Sequence, residues 1–233
     1  MNKYFFMLLL VIFCTGGVAA QKTFLFKNES KIYDVKVSVE NCGTEFAKLI
    51  CNSKGTFYLL KKNSGQVFQT IEMEETFLSL EGEMVEKGDI TEASGNDNLG
   101  VYFTDYNFDG IEDLGVSNGN YVPYGGVSYD VYLFSKAMGK FVKSEELSEL
   151  ETENMSVEID KKLKIIETHT KSGCCWHESA RYRFAGNRLQ KFYVFTEDAT
   201  SDGKWMKLIT KRRVGGKWRT TTKRVLIKQY YRD

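Results

Sequence analysis

Oxygen-bearing side chains recur at alternate positions in the segment Asp-Tyr-Asn-Phe-Asp-Gly-Ile-Glu-Asp, residues 105–113. Counted from its first residue, side-chain oxygens fall at positions one, three, five and nine, a backbone carbonyl at seven and a glycine at six. A loop of this spacing supplies the oxygen ligands that Ca²⁺ prefers, and the glycine permits the sharp turn around the ion. The spacing therefore predicts a calcium site. Its ligands are Asp105, Asn107, Asp109, Ile111 (through its carbonyl) and Asp113.

The residues around this loop indicate its structural setting. Position twelve is Val116, whereas a helix-loop-helix calcium site carries Glu there. The flanking residues 101–104 and 114–116 are rich in residues that favour strands. We therefore expect a calcium loop within a β-hairpin, with Phe108 helping to anchor it and with water or Glu112 completing the ligand shell.

Catalytic chemistry has little support in the sequence. The two histidines, His169 and His177, lie in no nucleophile motif, and no glycine-rich loop is suited to cradle phosphates. A glycosidase needs two carboxylates across a cleft, and the tightest carboxylate cluster is the one assigned to the cation loop. We predict that the protein is not an enzyme, with a hydrolase of undescribed type as the trailing alternative.

Four cysteines follow the first twenty residues, a number that fits two disulfides in an oxidising compartment. Among the three connectivities that four cysteines allow, we favour Cys42 with Cys51, which closes a short loop between two strands. Cys174 and Cys175 would then bond as adjacent residues or stay reduced, and the alternative crosslinks the N-terminal and C-terminal regions. Zinc on Cys174, Cys175 and His177 is a further alternative, although neighbouring residues present tetrahedral geometry poorly.

Residues 1–20 have the organisation of a secretory signal peptide. Lys3 gives a positive start, residues 4–13 form an apolar run, and Val18-Ala19-Ala20 offers small residues for cleavage. The apolar run is too short for an ordinary membrane span, and the phenylalanine before Cys14 disfavours a lipidated cysteine. We therefore predict an exported protein, periplasmic or secreted, without a lipid anchor.

Period-two alternation, as in residues 33–39, dominates the remaining chain and predicts an all-β fold of antiparallel sheets packed as a sandwich or a related architecture. Asn63-Ser64-Gly65, Gly186-Asn187 and Gly215-Gly216 mark hairpin turns. One short helix is expected over residues 144–150, capped by its first residue, Ser144. The other expected strands are residues 57–61, 66–71, 76–80, 101–104, 114–116, 129–134, 157–159, 163–168, 181–185, 189–195, 206–214 and 217–228.

Composition and charge divide the chain into four segments. They are the signal peptide (1–20), an N-terminal β unit (21–95), a calcium-loop β domain (96–203) and a basic C-terminal hairpin or tail (204–233). Residues 86–98 are rich in Gly, Asp, Glu, Ser and Asn and predict an exposed connection between the two β units. The last segment holds eleven Lys or Arg against one acid, whereas residues 21–203 hold twenty against thirty.

The basic segment interleaves its charges with Trp205, Trp218, Tyr230 and Tyr231. This mixture suits an anionic envelope polymer or membrane surface, and for an exported protein we do not expect nucleic acid. The alternative is that the basic hairpin docks on the acidic body with its tryptophans facing the core.

The run from Tyr102 through Asp-Tyr-Asn-Phe-Asp-Gly-Ile-Glu-Asp-Leu-Gly-Val, together with residues 125–134 and 140–142, resembles a family of exported bacterial proteins. In that family a D-x-N-x-D-G-x-x-D-L calcium loop leads into a Tyr-rich strand. Its described members are similar to periplasmic inhibitors of invertebrate-type lysozyme, and some act as immunity proteins against secreted peptidoglycan hydrolases. The resemblance covers roughly residues 99–195, and the loop itself also resembles those of integrin-like FG-GAP repeats.

The lysozyme inhibitors insert a short Ser-Gly-x-Tyr loop into the cleft of the enzyme. The nearest match here is Ser117, Gly119 and Tyr121, with an extra Asn between Ser and Gly, in an expected loop over residues 118–127 that could equally be a Gly-rich connection. The leading hypothesis is an exported, calcium-binding, non-catalytic β-protein that inhibits, or confers immunity against, a lysozyme-like hydrolase. The alternative is an envelope-associated module that binds a polysaccharide or anionic surface through its basic C-terminal segment.

Overall fold

A computed structural model of the 233-residue chain describes residues 21–27, 29–45, 48–80, 84–87, 90–93, 100–200 and 202–231. The predicted signal peptide lies outside the described residues. Within these ranges the chain forms three β-sheets and two short helices, which confirms the predicted all-β fold. None of the helices in the described ranges is long and apolar enough to cross a membrane.

The first sheet is built from the N-terminal strands in the order β3-β4-β2-β1-β7-β6, with β5 also paired to β4. Most pairs are antiparallel, as expected, but β1 runs parallel to β7, with Thr23 opposite Ile90. The expected exposed connection at residues 86–98 therefore contains strand, because β6 and β7 form a hairpin; residues 88–89 and 94–98 lie outside the described ranges. The strands are β1 (Lys22–Phe26), β2 (Tyr33–Val39), β3 (Cys42–Glu45), β4 (Lys48–Lys61), β5 (Val67–Leu80), β6 (Met84–Lys87) and β7 (Ile90–Ala93).

The remaining strands form two antiparallel sheets, one of four strands and one of six. The second sheet has the order β11-β10-β9-β8, and the third follows the chain from β12 to β17. Gly186 and Gly215 adopt positive φ at the turns where the sequence predicted hairpins. The strands are β8 (Val101–Thr104), β9 (Asp113–Val122), β10 (Gly126–Ser135), β11 (Lys140–Lys143), β12 (Ser156–Asp160), β13 (Ile165–Ser172), β14 (Trp176–Ala185), β15 (Arg188–Ala199), β16 (Trp205–Val214) and β17 (Lys217–Leu226).

The second sheet lies between two hydrophobic cores. Leu114 and Val116 of β9 are fully buried in a core shared with the first sheet. Val131 of β10 is fully buried in a second core, which it shares with Leu147 of a helix and Ile166 of the third sheet. Successive side chains of a strand point to opposite faces of its sheet, so a single four-stranded layer contributes to both cores. A change in this layer therefore affects both halves of the molecule.

Helix α1 (Glu145–Glu153) confirms the single helix expected from the sequence, with Ser144 at its N-cap. The Ser144 hydroxyl makes no capping hydrogen bond, contrary to expectation. The backbone carbonyl of Ser144 instead accepts a hydrogen bond from the Ser148 hydroxyl. The Ser148 hydroxyl oxygen in turn accepts from Val131 N–H. A second helix, α2 (Ile227–Tyr230), replaces the end of the strand expected over residues 217–228. Strand β17 ends at Leu226 because Leu226 pairs with Trp205, the first residue of its partner.

Two disulfides cover the four cysteines of the predicted mature chain. Cys42 and Cys51 are directly opposite each other in the β3–β4 pair and are bonded at 2.05 Å, as predicted. Cys174 and Cys175 are bonded to each other in the turn between β13 and β14. Because each thiol already has a partner, both the zinc alternative and the crosslink between the N-terminal and C-terminal regions are wrong.

We expect the double substitution C42S/C51S to lower the free energy of unfolding by about 2–3 kcal/mol, because it releases a short closed loop in the unfolded chain. Chemical denaturation of both proteins measures the difference. The matched control is C174S/C175S, whose bond closes almost no loop and should cost less. An equal or larger loss in the control would contradict the loop-closure account.

Candidate functional site

The predicted calcium loop joins β8 to β9, and its side-chain oxygens fold inward onto the backbone of the loop. Asp105 Oδ1 and Asn107 Oδ1 each lie 3.0 Å from the same donor, Asp109 N–H. Asp105 Oδ2 accepts from Gly110 N–H at 2.9 Å, and Asp109 Oδ1 accepts from Ile111 N–H at 2.9 Å. Gly110 has φ of 86°, which is the left-handed conformation that the turn requires. The loop therefore brings the oxygens at positions one and three together.

Asp113 closes the loop and is fully buried at the first position of β9. Its Oδ2 accepts from Tyr106 N–H at 3.0 Å, and its Oδ1 accepts from Phe134 N–H of β10 at 2.8 Å. Burial raises the pKa of Asp113 to about 6, and the hydrogen bonds from backbone amides oppose that rise. The two carboxylate oxygens offer about four lone-pair sites, and because the Asn107 amide is a third backbone donor, one site stays open to a further ligand.

The donor set fits Ca²⁺ only as a mixture of ligand types. Nowhere in the described ranges do three His, Cys, Asp or Glu side chains group closely enough to hold a metal ion. An ion in this loop would therefore also need the Asn107 amide, the Ile111 carbonyl and water, all of which Ca²⁺ accepts. Glu112, expected as an alternative to water, is turned away, because its Oε2 accepts from the Ser30 hydroxyl at 2.8 Å.

An open groove of about 760 Å³ lies beside the loop and reaches the turn between β14 and β15. Asn107 and Asp109 line one side, and Gly186 and Asn187 line another. Lys136 Nζ is 3.6 Å from Asp109 Oδ2 in this groove. The lysine brings a positive charge close to one of the predicted calcium ligands.

The second residue of the loop, Tyr106, connects it to helix α1. The Tyr106 and Tyr102 hydroxyls both donate to Glu151 Oε1, and all three side chains are largely buried. Burial raises the pKa of Glu151, while the two phenol hydrogen bonds oppose the rise. Sequence reasoning missed this cluster, although Glu151 follows the buried Leu147 by four residues, a spacing that places both on one face of a helix.

The three residues matched to the inhibitor loop lie in β9 instead of a free loop. Ser117 is fully buried, and its hydroxyl is hydrogen-bonded to that of Thr76 at 2.6 Å. Gly119 is also buried, whereas Tyr121 is 56% exposed. The expected loop over residues 118–127 differs from the structure because β9 continues to Val122 and only residues 123–125 form the turn.

That turn forms an exposed tip that carries two tyrosines, and we call residues 121–125 the tyrosine tip. Tyr121 and Tyr124 are 56% and 64% exposed, while Val122 between them is buried. The Tyr124 hydroxyl accepts from Gly173 N–H at 2.7 Å, and Lys171 Nζ lies 4.8 Å from the centre of its ring. The tip is thus held against the turn that contains the adjacent-cysteine disulfide.

The two histidines do not lie near the cation loop. His169 Nδ1 is 2.9 Å from Ser179 Oγ, its direct cross-strand neighbour, and His169 Nε2 is 3.9 Å from Glu158 Oε1. The second distance is too long for a hydrogen bond. Ser179 lies in β14, which pairs with β13 and with β15, so the backbone amides around it are hydrogen-bonded within the sheet. His177 faces Glu197 across the strands at 3.6 Å. Both contacts are those of surface pairs on a sheet.

The basic C-terminal segment forms the last hairpin of the third sheet, and β17 pairs only with β16 in the described part of the chain. Residues 211–224 are all exposed, on both faces of their strands, so this half of the hairpin extends beyond the body. Met206, at its base, is buried. The alternative that the hairpin docks on the acidic body is wrong for the outer half, where Trp218 is 45% exposed.

Comparison with known proteins identifies a similar fold but no matching family. No protein-family profile matches the chain, and no curated protein matches it. A solved structure described as a Xanthomonas type IV secretion system related protein is similar, with a TM-score of 0.64 and 20% sequence identity. The similarity covers 89% of this chain and 95% of that one. At this identity the likeness establishes a shared fold that extends well beyond the cation loop.

We expect protonated Glu151 to contribute stability in chelator that is lost as pH rises above about 4.5, the ordinary pKa of Glu. Because the folded-state pKa of Glu151 is raised, the folded chain holds this proton more tightly than the unfolded chain does. E151Q should therefore make the dependence of melting temperature on pH shallower, and the exposed E149Q on the same helix should leave it unchanged. Identical slopes for E151Q and the wild type would contradict the assignment.

Proposed function

We propose that the protein is an exported, calcium-stabilised, non-catalytic β-protein that inhibits, or confers immunity against, a lysozyme-like peptidoglycan hydrolase through its tyrosine tip. The observation that carries the proposal is the pair of exposed tyrosines, Tyr121 at the end of β9 and Tyr124 in the three-residue turn that follows. Tyrosine is enriched among the residues that dominate binding energy, because it offers a large contact area with few rotatable bonds. Exposed aromatic rings of this kind are suited to contact the walls of an enzyme cleft.

The tip is also rigid, which lowers the entropic cost of binding. Tyr121 N–H donates to the Ser128 hydroxyl at 3.3 Å, and Gly125 N–H donates to the Val122 carbonyl at 3.0 Å. The Tyr121 ring lies over Gly119, where an added Cβ would come within 2.4 Å of it. The absence of a side chain at residue 119 therefore lets the ring lie along the strand.

An acidic groove of about 500 Å³ adjoins Tyr121, and its charge favours a partner with basic residues. Glu72, Glu74, Glu75 and Asp130 line it, and one lysine, Lys143, pairs with Asp130 at 2.9 Å. A cleft rimmed by basic residues would complement this surface and would be steered towards it. Complementarity of this kind favours a basic hydrolase as the partner.

Export is supported by the secretory organisation of residues 1–20 and by the two disulfides, which persist in oxidising compartments. The similar solved structure is described as related to a secretion system, which agrees with an exported role. The sequence resemblance to hydrolase inhibitors supplies the proposed class of partner.

Calcium has a structural role in this proposal. An ion held by Asp105, Asn107, Asp109 and Asp113 would fix the loop between β8 and β9 and offset the cost of burying Asp113 in charged form. Tyr106 would transmit that order to helix α1 through Glu151. The ion would thus stabilise the second sheet, which both cores share.

The substitution Y121A/Y124A should weaken inhibition of the target hydrolase by at least about thirtyfold, because two central aromatic anchors are lost. The target is sought by capture from periplasm and culture fluid with calcium present, and inhibition constants are then measured with purified proteins. The control is L163A, which truncates an apolar side chain that is equally exposed, at 64%. If the purified protein inhibits no class of lysozyme, the proposed function is wrong.

The substitution D105N/D109N should abolish the rise in melting temperature that calcium causes in the wild type. The lost stabilisation is about 2–3 kcal/mol at a hundredfold excess of calcium over Kd. Differential scanning calorimetry in calcium and in chelator measures both proteins. The control E149Q/E153Q removes two exposed carboxylates from α1 and should keep the calcium response. Equal melting curves for the wild type in calcium and in chelator would refute the site.

A further inference from the structure

A third groove, of about 610 Å³, lies between the tips of the last two hairpins of the third sheet, and we call it the cationic groove. It arises because β15 and β16 pair only as far as Tyr193 and Arg212, after which the two hairpins separate. Strand β15 also carries a bulge near Tyr193, and a bulge increases local twist. The residues that line the groove are Glu146, Ala185, Arg188, Leu189, Gln190, Lys191, Arg213 and Trp218.

Three cations and one acid line this groove, so its net charge is positive. The Arg188 side chain has no ion pair or hydrogen bond within the described part of the chain. Arg213 uses only Nε, which donates to the Gly216 carbonyl at 3.3 Å, and Lys191 Nζ lies 5.1 Å from the Tyr182 ring centre. The guanidinium groups therefore keep donors for a carboxylate or phosphate, which they bind in a bidentate manner.

Trp218 adds an aromatic surface between these charges. It is directly opposite Arg213 in the β16–β17 pair, so both side chains project from the same face. Trp218 is 45% exposed, although large aromatic side chains are usually well buried. An exposed indole next to cations is suited to stack against the apolar face of a sugar ring while the cations bind its acidic substituent.

We propose that the cationic groove binds an acidic glycan, that is, a chain of sugar rings that carry carboxylate or phosphate groups. The signal peptide predicted for residues 1–20 favours a ligand of the cell envelope over nucleic acid. A recess between two hairpin tips admits a chain more readily than a flat membrane surface. This site is separate from the tyrosine tip, because the ten residues of β14 place about 30 Å between the Gly173 turn and the Gly186 turn.

The test measures binding of the full chain, without its signal peptide, to oligogalacturonate by calorimetry and by quenching of tryptophan fluorescence. R188A/R213A and W218A should each reduce affinity about tenfold or more, and neutral dextran should not bind. The matched control is K217A/R219A, which removes two cations from the opposite face of β17 and should change affinity less than about threefold.

Three results would overturn the proposal. Equal losses in R188A/R213A and K217A/R219A would show diffuse attraction to the basic hairpin instead of a groove. Unchanged affinity in W218A would show that Trp218 does not stack against a sugar ring. Tighter binding to single-stranded DNA or to vesicles of anionic phospholipid than to oligogalacturonate would assign the groove to a different class of ligand. Circular dichroism of each variant checks that the fold is retained.

Discussion

The buried carboxylate of Asp113 is the contact on which the arrangement of the second sheet depends. It bonds the Tyr106 amide in the cation loop and the Phe134 amide in β10, so one side chain joins the loop, β9 and β10. A buried charge is costly unless it is paired or hydrogen-bonded, and these amides supply that compensation. Because both cores pack on the second sheet, the placement of this carboxylate affects the packing of the whole molecule.

Strand β9 then determines where an ion could act and where it could not. The cation loop ends at Asp113, the first residue of the strand, and the tyrosine tip lies at the other end of the strand, about 30 Å away. An ion in the loop is therefore too distant to touch the tip. Its influence on binding would pass through the stability of the sheet, and through the Tyr106–Glu151 contact to α1, instead of through direct contact with a partner.

Local features of the sequence predicted local features of the structure well. The Cys42–Cys51 bond, the Gly186 turn and the Gly215 turn each depend on residues close together in the chain, and all three are present. The anchoring of Phe108 in the second core was predicted for the same reason. Hairpins of this kind are specified by turn residues and alternation, which a single sequence displays.

Features that depend on distant partners could not be predicted in this way. Ser117 resembles a loop residue by type, but it is buried because Thr76, forty-one residues earlier, bonds its hydroxyl. The parallel pairing of β1 with β7 likewise joins residues more than sixty positions apart. In the cation loop, the sequence identified residues with suitable oxygens, but the inward turn of Asp113 depends on Phe134 of another strand. Polar residues and edge strands carry little signal of such partners.

The fold places the acidic and basic side chains of this unevenly charged chain in separate grooves. Acidic side chains line the groove beside Tyr121, whereas the groove beside Trp218 is cationic, and the length of β14 separates the cationic groove from the tyrosine tip. A protein that bound an acidic envelope glycan in the cationic groove would keep its tyrosine tip away from the glycan. Tethering near the wall would raise the local concentration of inhibitor where a wall hydrolase acts. The two charges would then serve one purpose, since the glycan and a basic hydrolase would be attracted to different surfaces of the same molecule.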